Sequence, residues 1–160
     1  MAIDWRAAMV STLAAIDGSA PYTLDLSGAG QVVEGRPPSN VRPPDSALVY
    51  VYRLDSTYTR GEPAPLKSWD TVQRVGVSFY VHSATQDGAA REAVMDNIAD
   101  DLHSALAASL TTGGALATAG ILQCSEIAVA PFYGSQQAHK SHPVIVDAQL
   151  TLHYIDDGST

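Results

Sequence analysis

The sequence predicts an α+β fold in one domain spanning residues 1–160: an antiparallel four-stranded sheet with a long helix on one face and a short N-terminal helix. Three observations predict it. Four segments read as strands at period two, one long segment repeats apolar residues at helical spacing from Val94 to Leu106, and neither a linker nor an internal repeat divides the chain. A chain of 160 residues buries about 68–70% of its unfolded surface, enough for a single core.

The first helix is expected over residues 4–16. Trp5, Met9, Leu13 and Ile16 fall on one stripe, Asp4 is placed to cap the start, and Gly18 is placed to end it. Residues 19–35 read as loop with short extended pieces at 22–26 and 31–34. RPPSNVRPP, residues 36–44, is stiff because each proline fixes its own φ and restricts the residue before it. It reads as a rigid connector between strands, with a ligand for an SH3-type domain as the alternative.

Residues 47–55, ALVYVYRLD, form a strand with Leu48, Tyr50, Tyr52 and Leu54 on one side and Val49 and Val51 on the other. Both sides are apolar, so both are expected to be covered, by this chain or by a neighbouring subunit. A long hairpin loop is expected over 56–70. A strand follows over 72–82, with Val75, Val77, Phe79 and Val81 on one side and Arg74, Ser78 and His82 on the other. The long helix, 87–110, buries Val94, Ile98, Leu102, Ala105 and Leu106 and stops at Gly113-Gly114. Two further strands, 121–130 and 144–155, flank the loop PFYGSQQAHKSHP. In the last of them Val146, Ala148, Leu150, Leu152 and Tyr154 oppose Asp147, Gln149, Thr151 and His153.

Composition narrows the function. Nine Lys+Arg against 17 Asp+Glu give a net charge of -8, which argues against a basic nucleic-acid-binding surface. The charge is uneven: residues 1–86 carry eight acids and seven bases, residues 87–160 nine acids with Arg91 and Lys140 alone. One cysteine, Cys124, excludes an internal disulfide framework and a cysteine-rich zinc site. No apolar run reaches the roughly 18 residues that span a bilayer. Residues 7–16 imitate a signal peptide most closely, but Asp4 and Asp17 bracket them, so a soluble chain without a cleaved leader is expected.

No nucleophile elbow, phosphate loop, dinucleotide fingerprint or H-E-x-x-H pair is present, and no enzyme, cofactor or metal is expected. His139 and His142 share a loop but lack a third ligand in sequence, so they read as exposed loop histidines. His82, His103 and His153 lie on polar sides. Cys124 alternates onto the side of Leu122 and Ala128 and reads as a buried, inert thiol. Glu92, Asp96 and Asp100 stand at i, i+4 and i+8 opposite the apolar stripe, with Asp101 beside them. This row reads as a solvated face or as acids kept for function. Tyr58, Arg60, Lys67 and Trp69 in the first long loop, and Phe132 and Tyr133 in the second, combine aromatic and basic groups of the kind enriched at interfaces.

In element order, with ALVYVYRLD, VQRVGVSFYVHS, REAVMDNIADDLHSAL and the closing VIVDAQLTLHYI, the chain resembles the tail terminator (tail-completion) proteins of long-tailed phages and phage-derived particles. The resemblance implies a virion structural subunit forming a hexameric ring that ends the tail tube and joins it to the head–tail connector or stopper. Such a subunit is made in the bacterial cytoplasm and resides at the tail–neck junction. DNA would pass through the ring without specific binding and no membrane would be involved. In that setting Glu92, Asp96 and Asp100 are candidates to line the lumen. The alternatives are another head-completion or neck protein, or a small ligand-binding domain or enzyme without a recognised motif.

Overall fold

A computed structural model describes residues 3–39, 41, 47–59, 69–82, 88–131 and 144–156. Among these the order is α1 (Trp5–Ala14), β1 (Val32–Glu34), β2 (Leu48–Thr59), β3 (Trp69–Val81), α2 (Gly88–Ser109), α3 (Ala115–Ala119), β4 (Gln123–Pro131) and β5 (Val144–Asp156). The strands form one sheet in the order β1-β2-β3-β5-β4. The α+β class holds, but the sheet is mixed and five-stranded rather than antiparallel and four-stranded. The four expected strands pair antiparallel, and β1 adds to the β2 edge in parallel, Val33 opposite Tyr50. Three residues are too few to show a period, and parallel pairing needs a crossover that carries no hairpin signal.

The helices share one side of the sheet. Val49 and Val51 of β2 meet Phe79 and Val77 of β3, which meet Val146 and Ala148 of β5. All six are buried, together with Ile98 and Leu102 of α2 and Met9 and Leu13 of α1. Each such side chain contributes about 1.5–3 kcal/mol when removed from water. The stripes expected of both helices are therefore the packed ones. Asp4 caps α1 as expected, accepting from the Ala7 N–H at 3.0 Å. The helix stops at Ala14, before the expected Ile16, and Ile16 enters the core from the following turn. Gly18, with φ of 76°, lies beyond the cap in that turn.

The unpredicted α3 docks through a polar knot. The Ser109 hydroxyl lies 2.6 Å from the Thr12 hydroxyl and accepts from the Leu116 N–H at 2.9 Å, tying α1, α2 and α3. Gly114 is fixed by the same approach, since a Cβ there would fall 2.2 Å from the Ser109 carbonyl oxygen. The Gly-Gly stop read from the sequence is thus also a contact surface.

The expected loop over 56–70 is strand at both ends: β2 runs to Thr59 and β3 begins at Trp69, and residues 60–68 between them lie outside the described residues. A bulge between Arg53 and Asp55 interrupts the ladder. Buried Gln73 repairs it, donating to the Asp55 carbonyl at 2.6 Å and accepting from the Ser56 hydroxyl.

Ile98 is 0% exposed, so Ile98→Ala is expected to cost about 2–5 kcal/mol in urea unfolding. Glu92→Ala on the exposed side of the same helix should stay within about 0.5 kcal/mol.

Candidate functional site

Three surfaces outside the core carry the sequence's candidate residues. The first is the far end of the β2–β3 hairpin. Tyr58 pairs with Thr71, Thr71 with Tyr154, and Trp69 with Asp156, all on the helix side of the sheet. Tyr154 is buried, whereas Tyr58 is 51% and Trp69 41% exposed. Arg53 and Arg6 approach the same group. Burial pushes the Tyr154 hydroxyl pKa up, and the charges of Tyr58 and Asp156 add to this while Arg53 and Arg6 oppose it. The Arg6 guanidinium also lies 4.8 Å from the Trp5 ring centroid. Two of the expected interface residues, Tyr58 and Trp69, therefore meet on one surface, as strand residues rather than loop residues. Arg60, Lys67, Phe132 and Tyr133 lie outside the described residues, as do His139 and His142.

The second surface is the opposite side of the sheet. Leu48, Tyr50, Tyr52 and Leu54 of β2, Tyr80 of β3 and Ile145 of β5 are half-buried there, and among the described residues no helix packs on them. Tyr50 and Tyr80 meet edge to face at 5.8 Å. Tyr52 lies across Gly76, where a Cβ would fall 2.4 Å from its ring, and Arg36 stacks over it at 5.2 Å. Its hydroxyl lies 3.0 Å from that of Ser78, which donates to Asp147 at 2.7 Å. Burial, with the Asp147 charge second, pushes the Tyr80 hydroxyl pKa up. Arg74 closes the network, donating to Asp55 at 2.7 Å and to Gln149 at 3.1 Å. Ser78 is enclosed among these groups and almost wholly buried, so its role here is to join β3 to β5. Among the described residues this side carries a polar and aromatic web with Arg36 above it, and no helix covers it.

The third surface is α2. Glu92, Asp96 and Asp100 are all exposed, while Asp101 is 2% exposed. Asp101 does not belong to the acidic row. Its carboxylate accepts from the Thr23 N–H and hydroxyl, and from the Leu24 N–H at 2.7 Å, pinning the chain that follows α1. The missed signal was its position: Asp101 stands three residues after Ile98 and four before Ala105, on the apolar stripe.

Cys124 faces the helix side opposite Leu152, half-buried, and burial pushes its thiol pKa up to about 11. The raised pKa fits the inert-thiol reading, but Cys124 is half-buried rather than buried, and Leu122, just before β4, is 68% exposed while Ile121 is buried. His82 and His103 are exposed and His153 is half-buried. Among the described residues no three His, Cys, Asp or Glu side chains are grouped to hold a metal ion, and no helix is long and apolar enough to cross a membrane. No family model matches the chain, and no curated protein matches it.

Two measurements follow. Replacing Asp101 with Ala should cost about 1–3 kcal/mol by removing the charged acceptor of the part-buried Thr23 and Leu24 N–H groups, and should speed hydrogen exchange at the Thr23 and Leu24 amides. For Cys124, alkylation of the native protein at pH 8 should run at least about a hundredfold slower than of the unfolded chain. The native rate should then climb toward pH 11, because a raised pKa keeps the thiol protonated through the range where the unfolded chain ionises.

Proposed function

We propose that the chain is a non-catalytic structural subunit that closes into a ring, terminating the tail tube of a long-tailed phage or phage-derived particle. On this reading the ring is a hexamer, its partners are the tail tube protein and the head–tail connector or stopper, and DNA passes through without specific binding. The chain is then made in the bacterial cytoplasm and resides at the tail–neck junction of the particle.

One observation carries the reading: the layering is one-sided. α1, α2 and α3 pack on one side of the sheet, while Leu48, Tyr50, Tyr52, Tyr80 and Ile145 remain half-buried on the other and Tyr58 and Trp69 stand exposed at the hairpin end. Apolar and aromatic surface left at two places on a small domain fits a subunit that neighbours cover. The net charge of -8 also suits a conduit, whose wall should repel phosphate rather than hold it. The resemblance in the sequence supplies the kind of assembly. It leaves two places for Glu92, Asp96 and Asp100, the channel wall and the seam between neighbours.

Native mass spectrometry and negative-stain microscopy of the purified chain test the reading. A closed ring is expected, and labelled chain in intact particles should mark the junction of head and tail. A monomer at all concentrations, with no label at that junction, would overturn it. Within particles, shortening the tract PFYGSQQAHKSHP, which contains Phe132 and Tyr133, should release the subunit while the free protein stays folded by circular dichroism.

A further inference from the structure

Resting on the ring reading, we propose that the seam between copies joins the exposed acidic side of α2 in one subunit to the aromatic and basic hairpin end of the next. A closed ring is built by head-to-tail contact, so each subunit must present two unlike surfaces that fit one another. The hairpin end supplies one of them. Tyr58 and Trp69 are 51% and 41% exposed there, Arg53 is exposed on the same side of β2, opposite Val75, and exposed Arg6 stacks on Trp5 at the start of α1. Exposed aromatic groups beside arginines are the composition of interface centres rather than of free surface. Asp156 is the acid of this row, opposite Trp69, and the two arginines outweigh it.

The same chain carries the counter-surface. Glu92, Asp96 and Asp100 are exposed on successive turns of α2, covering about 12 Å of helix. Arg53 and Tyr58 lie roughly 13–16 Å apart along their strand, so the two rows match in length. Like charges four residues apart weaken the helix that bears them, and a basic neighbour offsets that cost. The occupant of the hairpin patch is therefore a second copy of this chain, chosen by charge: the half beginning at residue 87 holds nine acids against two bases. In this arrangement the carboxylates sit in the seam and not on the channel wall.

The test is a charge swap read by sedimentation velocity and native mass spectrometry on the full chain. Glu92→Lys with Asp96→Lys and Asp100→Lys should weaken association at least about tenfold, as should Arg6→Glu with Arg53→Glu. A mixture of the two variants should regain assembly in mixed species, because each supplies a surface that the other now complements. Raising salt should weaken the wild-type assembly. All the altered residues are exposed, so circular dichroism and the unfolding midpoint should stay near wild type and exclude misfolding. Rings of unchanged mass and affinity from the triple-lysine variant would overturn the seam and return the acids to the channel side, with the ring reading intact. A wild-type chain that is monomeric at every concentration would overturn both.

Discussion

Strand β3 must meet two different demands at once, and the rest of the molecule is arranged around that. Toward the helices it offers Val75, Val77, Phe79 and Val81, all buried. Toward the other side it offers Arg74, Gly76, Ser78 and Tyr80. A central strand with bulk on both sides would call for a layer on both. Here Gly76 and Ser78 keep the middle of the second side low beneath the ring of Tyr52, Tyr80 packs on Tyr50, and hydrogen bonds from Ser78 to Asp147 and from Arg74 to Gln149 tie β3 to β5. Among the described residues the three helices all pack on the other side, and the far side of the sheet carries no helix.

Much of this was legible in the sequence because period and burial coincide. The valines of β2 and β3, the alternation of β5 and the stripe of α2 all point one way, and the folded chain buries those residues, Val94 only in part. The parts that stayed hidden lack a period. The extended piece read at 31–34 is β1, but its three residues gave no sign of a parallel partner; α3 has five residues, and the extension of the hairpin through Thr59 and from Trp69 is held by neighbouring strands rather than by local preference. Proline, glycine and polar residues around it suggest a loop, yet the ladder to β5 continues to Asp156.

The candidate site divides in the same manner. Tyr58 and Trp69 could be chosen by residue type, but not their sharing one side of the sheet with Tyr154 and Arg53, which depends on strand register. Asp101 shows the opposite error. Counted with its acidic neighbours it is surface charge; counted on the helical wheel it belongs to the core, where three donors of the 23–24 segment satisfy it. Its carboxylate links the long helix to the chain after α1, so the acid serves folding while Glu92, Asp96 and Asp100 remain available outside.

The bulge beside Arg53 carries a consequence for how this protein can vary. Strand side chains change sides with every residue, so one extra residue reverses the facing of everything beyond it. Counting on from Arg53 opposite Val75 without the insertion, Tyr58 would stand opposite Asp70 and point away from the helices. With the insertion it stands opposite Thr71, beside Tyr154. The deletion of a single codon here would leave the composition of the hairpin almost untouched yet turn its tip inside out. Lengthening the tip beyond Thr59 would preserve the facing. Insertions should therefore accumulate in related chains at the end of the hairpin, while the spacing between Arg53 and Tyr58 stays fixed.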